Sequence, residues 1–158
     1  MVTNLLLEYP WLLPLALAVL VLLGPPVGRW LVPRQRLAWA LCGLALLPVL
    51  PLTLVPVERE LYAQCVVQWS LPTPGRPELF ANLVLFVPPV LLAGVALGRP
   101  VIAFLAGSLL STAIEAVQAF VPAIGRSCDT TDWLSNTLGA AVGALLAWAA
   151  LRWHRRPS

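Results

Sequence analysis

The chain has 158 residues, of which 59% are hydrophobic and 11% are charged. A water-soluble domain is typically about 45–50% apolar and about 25% charged, so this composition excludes a soluble enzyme, a disordered tail and a conventional nucleic-acid-binding protein. The formal net charge is +3, and all ten basic residues are arginines. We therefore predict an integral membrane protein.

Five apolar segments follow one another along the chain. They are residues 9–27, 37–57, 79–97, 101–121 and 133–153. Each has about the 20 residues that a helix needs to cross the hydrocarbon core of a bilayer. These segments predict an all-α fold, a polytopic bundle of five transmembrane helices that forms one membrane domain over residues 1–158.

The first segment has two interpretations, a retained helix and a cleaved signal peptide. Pro14 interrupts the apolar run, and the Gly24-Pro25-Pro26 sequence predicts its end, because proline disrupts a helix interior. The residues before it include Glu8 and no basic residue. A signal peptide begins with a positively charged region instead, so we favour a retained transmembrane helix.

The charged residues divide between the two faces that five spans create. One face receives seven arginines and no acid: Arg29, Arg34, Arg36, Arg99, Arg152, Arg155 and Arg156. The other face receives all seven acids and three arginines: Glu8, Glu58, Glu60, Glu78, Glu115, Asp129, Asp132, Arg59, Arg76 and Arg126. Because arginine-rich connections stay in the cytoplasm, we predict that the N-terminus lies outside and the C-terminus in the cytoplasm.

The three cysteines have different predicted environments. Cys42 lies inside the second segment, where we expect it to pack as a small apolar residue. Cys65 and Cys128 both fall in connections on the predicted outer face. A non-cytoplasmic compartment is oxidising, so we predict a Cys65–Cys128 disulfide that joins the outer loop 58–77 to the loop between segments four and five.

Polar side chains in the last three segments predict a functional site, since an ionisable group inside a membrane is costly. On the fourth segment, one helical face carries Ser108, Ser111, Glu115 and Gln118. On the fifth, one face carries Asp132, Asn136, Gly139 and Gly143. At about 1.5 Å per residue, the polar groups of three helices lie at a similar depth. We predict one pocket open to the outer leaflet, with these candidate ligand-binding residues: Asn82, Glu115, Gln118, Arg126, Asp129, Asp132 and Asn136.

Structural roles are alternatives for several of these residues. Asp132 or Thr131 could cap the fifth helix, and Gly139-x-x-x-Gly143 is typical of close helix packing rather than of a binding site. Hydrogen bonds between helices or to interfacial water are alternatives for the two amides Asn82 and Gln118. A buried Glu115 needs a proton, a cation or an ion pair with Arg126.

Four motifs in the last three segments occur in the order and approximate spacing of a known family. They are Asn82-Leu-Val-Leu-Phe-Val-Pro88, Ser111-Thr-Ala-Ile-Glu-Ala-Val-Gln118, Gly125-Arg-Ser-Cys-Asp-Thr-Thr-Asp132 and Asn136-Thr-Leu-Gly139, with Gly143 after them. On these residues the chain resembles the VanZ-like family of bacterial membrane proteins, whose founding member is associated with low-level teicoplanin resistance. The resemblance gives a VanZ-like core at residues 78–153, and Val90 departs from it where the family commonly has glycine. It implies a small helical bundle in the bacterial cytoplasmic membrane that acts at the outer surface.

Two functions fit this sequence. In the first, the outer pocket binds a cell-envelope lipid, a lipid-linked cell-wall intermediate or a lipoglycopeptide, and Arg126 pairs with a phosphate or carboxylate. In the second, the protein is an intramembrane hydrolase or transferase that acts on a lipid-linked substrate. Glu115 would then be the general base, and Asp129 and Asp132 could bind a divalent cation through oxygen ligands.

The sequence assigns no catalytic residue and no metal ligand. The sole histidine, His154, lies on the predicted cytoplasmic tail, which disfavours histidine-dependent nucleophilic catalysis or a histidine-bound zinc at the outer site. We expect no cofactor and no nucleic-acid partner, and we expect membrane lipids to be the principal partners. The oligomeric state has no signature in the sequence.

Overall fold

A computed structural model of the chain describes residue 9, residues 11–56 and residues 65–155. Five charged positions used in the topology prediction lie outside the described residues: Glu8, Glu58, Arg59, Glu60 and Arg156. The described helices are α1 (Leu12–Leu31), α2 (Gln35–Leu46), α3 (Val49–Leu54), α4 (Pro77–Leu97), α5 (Pro100–Phe120) and α6 (Thr130–His154). Two short strands, β1 (Cys65–Val66) and β2 (Cys128–Asp129), and a 3-10 turn at Pro122–Ile124 complete the described elements.

Five spans in the described residues are long and apolar enough to cross a membrane, with mean hydropathies of 1.5 to 2.2. Four of them are single helices, and α2 and α3 together form the span Gln35–Leu54. The predicted all-α bundle of five membrane helices is confirmed. Each predicted segment end lies within about one helical turn of the observed end.

The Gly24-Pro25-Pro26 sequence does not end the first helix, and that prediction is wrong. α1 continues through both prolines to Leu31. A Cβ on Gly24 would lie 3.2 Å from the side chains of Leu91 and Leu146, so α1 packs tightly against α4 and α6 at this point. This packing outweighs the hydrogen bonds that the proline nitrogens cannot make.

The closest helix pair in the described bundle is α4 with α6. A Cβ on Gly143 would lie 2.6 Å from the carbonyl oxygen of Val87, and one on Gly139 would overlap the carbonyl oxygen of Leu83. Such contact with a neighbouring backbone is the packing expected of small residues one turn apart. The packing interpretation of Gly139-x-x-x-Gly143 is therefore confirmed.

Val90, which departs from the family pattern, fits into the space left by a glycine on the neighbouring helix. Its side chain is 4% exposed, and a Cβ added to Gly107 of α5 would lie 2.7 Å from Val90 Cγ2. The small residue at this contact between α4 and α5 is thus Gly107. The local shape of α4 stays a continuous helix from Pro77 to Leu97.

The described arginines of the predicted cytoplasmic face gather at one end of the bundle, and the described acids gather at the other. Three guanidinium groups lie over tryptophan rings at the basic end: Arg29 over Trp153 at 4.9 Å, Arg34 over Trp30 at 4.3 Å and Arg152 over Trp148 at 5.1 Å. The separation is the one that the positive-inside rule requires. Which end faces the cytoplasm stays a prediction, and we use the word outer for the acidic end and for the loops at that end.

A disulfide joins the two outer loops. Cys65 and Cys128 are bonded, with their Cα atoms 4.5 Å apart, which confirms the predicted pair. β1 runs parallel to β2 at this bond, so Val66 lies opposite Asp129. Cys42 is free and buried, as expected of a cysteine inside a span.

Candidate functional site

A series of hydrogen bonds joins α5 to α6 and to the residue before it, from the outer end of the bundle inwards. The pairs are Glu115 Oε2 with the Asp129 main-chain N–H at 2.7 Å, Ser111 Oγ with Asn136 Nδ2 at 2.9 Å, and Ser108 Oγ with Thr137 Oγ1 at 3.2 Å. We call these six residues the polar seam. Three of the four residues predicted to share a face of α5, Ser108, Ser111 and Glu115, lie on the face that α5 turns towards α6.

Asp129 is the N-cap of α6, and its Oδ1 accepts a hydrogen bond from the Thr131 main-chain N–H at 2.7 Å. The alternative role of Asp132 or Thr131 as the cap of this helix is therefore not the one observed. The physical reason is that α6 begins at Thr130, earlier than its apolar stretch, so Asp132 already lies in the first turn. Its carboxylate is consequently available for contacts other than capping.

The Asp132 carboxylate is partly buried at the junction of α4, α6 and the loop before α6. The Asn82 side chain of α4 is hydrogen-bonded to it, and Asp129, Glu78 and Arg126 are close enough to act on it electrostatically. Glu115 also lies close to both Asp129 and Asp132. We call Asn82, Glu115, Arg126, Asp129 and Asp132 the outer polar cluster. It brings together five of the seven predicted site residues.

Asn136 lies one turn below Asp132 on α6 and is only 2% exposed. Its Nδ2 donates to Ser111, whereas its Oδ1 has no hydrogen-bond partner among the described residues. A buried acceptor left unpaired costs about 1–3 kcal/mol. The sixth predicted site residue therefore presents an unsatisfied acceptor directly beneath the outer polar cluster.

Gln118, the seventh predicted site residue, contacts a different part of the bundle. Its Nε2 donates to the main-chain carbonyl of Thr53 in α3 at 2.9 Å, while its buried Oε1 has no partner among the described residues. Three residues are less than one full turn of 3.6 residues, so the Gln118 side chain points in a different direction from that of Glu115, away from α6 and towards the second span. Thr53 carries no sequence signal for this role, since the acceptor is its main-chain oxygen.

Arg126 also reaches the end of the second span. Its Nε donates a long hydrogen bond of 3.4 Å to the main-chain carbonyl of Val55. The terminal guanidinium nitrogens donate no hydrogen bond to a described side chain or carbonyl. Arg126 is thus held at the edge of the outer polar cluster by one weak contact, and its planar end stays available for an anion.

The outer loop covers the N-terminal turn of α6 through Gln68, which sequence reasoning missed. Gln68 Nε2 donates to Asp129 Oδ2 at 2.7 Å, and its carbonyl accepts from Thr131 Oγ1 at 2.9 Å. The ring of Trp69 meets that of Trp133 edge to face, with centroids 6.5 Å apart. Only the cysteine in the same loop could have indicated that this segment docks here.

The two Asp129 carboxylate oxygens already accept hydrogen bonds, one from Thr131 and one from Gln68. Within residues 11–56 and 65–155, no three His, Cys, Asp or Glu side chains stand close enough together to hold a metal ion. The geometry therefore adds no support for a divalent cation between Asp129 and Asp132.

The comparison with family models identifies the chain. The model described as VanZ/LLP1 matches residues 11–152. The chain belongs to the VanZ/LLP1 family. The match begins at the residue before α1, so it includes the first two spans as well as residues 78–152, where the motifs lie. A search of curated proteins and a search of solved structures each found no match.

In this VanZ/LLP1 protein, a multi-pass membrane protein by its spans and its family, the site contains more acceptors than donors. Glu115, Asp132 and the unpaired Oδ1 of Asn136 provide acceptor oxygens, and Arg126 provides the cationic donor. Such a site suits a molecule that carries hydroxyl, amide or amine donors together with one anionic group.

Proposed function

We propose that this VanZ/LLP1 protein binds the polar headgroup of a cell-envelope lipid, a lipid-linked cell-wall intermediate or a lipoglycopeptide. The binding site is the outer polar cluster, on the extracytoplasmic side of the bacterial cytoplasmic membrane. Membership of the family is consistent with a role in antibiotic resistance. The observation that carries the proposal is the buried, unpaired Oδ1 of Asn136 beneath a cluster of carboxylates.

The chemistry of the site supports a headgroup rather than a hydrocarbon ligand. Donors on a sugar or a peptide would pair with Glu115, Asp132 and Asn136, and a phosphate would pair with the free end of Arg126. The cluster lies at the ends of membrane-spanning helices. A lipid whose headgroup binds at this level keeps its acyl chain in the bilayer. This explains why a polar site lies at the ends of membrane-spanning helices.

Catalysis on the same ligand is the second candidate function. One Glu115 oxygen is held by the Asp129 main-chain N–H, and the other accepts no hydrogen bond from a described residue. A fixed carboxylate with one free oxygen has the geometry of a general base. The protein would then be a hydrolase or transferase with Glu115 acting on a lipid-linked substrate.

The Glu115→Gln variant tests the proposal. Glutamine keeps the shape and the oxygen that accepts from Asp129, but it removes the charge, so we expect binding of a lipid-linked disaccharide-peptide probe to weaken about tenfold. The measurement is the dissociation constant of that probe, and separately of teicoplanin, for the purified protein, together with assays for probe hydrolysis and transfer.

Glu78→Gln is the matched control, because Glu78 is an exposed carboxylate at the same end of the bundle. We expect it to bind the probe as the parent protein does. Unchanged binding in Glu115→Gln would remove Glu115 from the site. Retained binding with lost turnover would instead support the enzyme over the binding protein.

A further inference from the structure

A second cleft lies at the basic end of the bundle, away from the outer polar cluster. It has a volume of about 520 Å³ and is lined by Gly98, Pro100, Trp148, Leu151, Arg152 and Arg155. Trp148, Leu151 and Arg152 of α6 and Arg155, which follows it in helical conformation, recur at i, i+3, i+4 and i+7, so they share one face. Gly98 and Pro100 come from the tight turn between α4 and α5.

The lining of this cleft contains two arginines and no acid. The described acids lie at the other end of the bundle, and Asp132 and Arg155 are roughly 35 Å apart along α6 at 1.5 Å per residue. That distance is far beyond the roughly 4 Å within which an ion pair forms. The positive charge of the cleft is therefore uncompensated by described residues, which favours an anionic ligand.

The arginine side chains meet an apolar wall. The Arg152 guanidinium lies 5.1 Å from the centre of the Trp148 ring, which restrains it beside the cleft. Leu145 and Val101, on the two helices that flank the cleft, are 65% and 71% exposed and form part of the surface that faces the bilayer. Cationic donors next to a lipid-facing apolar surface match an amphiphile better than a small soluble anion.

We propose that this cleft binds the phosphate group of an anionic membrane phospholipid. Arg152 and Arg155 contact the phosphate oxygens, and the acyl chains lie along Trp148 and the outer surface of α5 and α6. Basic pockets between membrane helices are suited to such headgroups. The site is separate from the outer polar cluster, so its failure would leave the proposed headgroup site untouched.

The test uses the purified full-length protein in a neutral detergent with three probes: phosphatidylglycerol, phosphatidylcholine and inorganic phosphate. We expect native mass spectrometry to show phosphatidylglycerol retained in preference to phosphatidylcholine, and the unfolding temperature to rise with phosphatidylglycerol alone. Removing both charges in Arg152→Gln/Arg155→Gln is expected to weaken retention more than tenfold, at about fivefold per arginine.

Arg36→Gln is the matched control, since it removes an exposed arginine of the same end that lies outside the cleft. It is expected to retain phosphatidylglycerol fully. Equal losses in Arg36→Gln and the double variant, equal retention of the two lipids, or equal stabilisation by inorganic phosphate would each overturn the proposal. If the double variant does not fold, the single Arg155→Gln variant, at an exposed position, supplies the same comparison.

Discussion

Replacement of Gly139 by alanine is expected to lower the free energy of unfolding by about 2 kcal/mol or more, since overpacking typically costs about 1–3 kcal/mol. The new Cβ would overlap the carbonyl oxygen of Leu83, and a main-chain atom cannot turn aside as a flexible side chain can. The closest helix pair, α4 and α6, would have to separate. The loss should appear as a lower unfolding temperature of the purified protein in detergent.

Gly43→Ala is the control for this prediction, because no atom of the described residues outside its own stretch of α2 lies within 4 Å of the position its Cβ would take. Alanine is the better helix former, by about 1 kcal/mol in a helix interior. We therefore expect Gly43→Ala to leave the unfolding temperature unchanged or to raise it. Equal destabilisation by the two variants would show that the backbone contact at Gly139 is not the cause.

Removal of the disulfide in Cys65→Ser/Cys128→Ser is expected to lower the free energy of unfolding by about 2–4 kcal/mol, the usual range for a disulfide. The bond closes a long segment, since its cysteines are 63 positions apart in the chain. Without the disulfide, β1 and β2 are no longer covalently linked. The contact of Gln68 with Asp129 then depends on hydrogen bonds alone. Unfolding temperatures of the oxidised, reduced and double-serine proteins test this.

Thiol labelling of intact cells gives a second measurement of the same bond. Because disulfides persist on the oxidising side of the membrane, we expect Cys65 and Cys128 to resist labelling until a reductant is added. Cys42 supplies the internal control, since it is the free cysteine among the described residues and lies buried in α2. Two free outer thiols before reduction would contradict both the bond and the predicted orientation of the loops.

The length of the apolar segments was sufficient to predict the five spans. A bilayer of fixed thickness imposes a minimum length on each helix, so the number of crossings follows from hydropathy alone. The disulfide was predictable for a similar reason, because Cys65 and Cys128 are the two cysteines outside the apolar segments. Helix periodicity also placed Ser108, Ser111 and Glu115 on one face of α5, which the structure turns towards α6. Gln118, predicted on the same face, contacts the second span instead.

Tertiary contacts decided the features that the sequence did not predict. Pro25 and Pro26 indicate a helix end by local rules, but the contacts of Gly24 with α4 and α6 keep α1 intact. In the sequence Asp129-Thr-Thr-Asp132, either acid could be the N-cap of α6, depending on where the helix begins. Because α6 begins at Thr130, about one turn before its apolar stretch, Asp129 is the N-cap.

The hydrogen bonds of Gln68 could not be predicted from the sequence for a different reason. Its four hydrogen bonds reach Asp129, Thr130 and Thr131, which are 61 to 63 positions away in the chain, and three of the four use its own main-chain N–H or oxygen. A main-chain acceptor has the same chemistry at every residue, so no residue type marks it in advance.

The attachment of the second span to the outer end of α5 has an evolutionary consequence. Gln118 and Arg126 both donate to main-chain oxygens, at Thr53 and Val55, and these oxygens exist whatever side chain the residue bears. The accepting positions can drift freely among relatives with respect to these bonds, whereas the donating positions cannot. An alignment of homologues should then show one-sided constraint, with no covariation between the two partners of either bond.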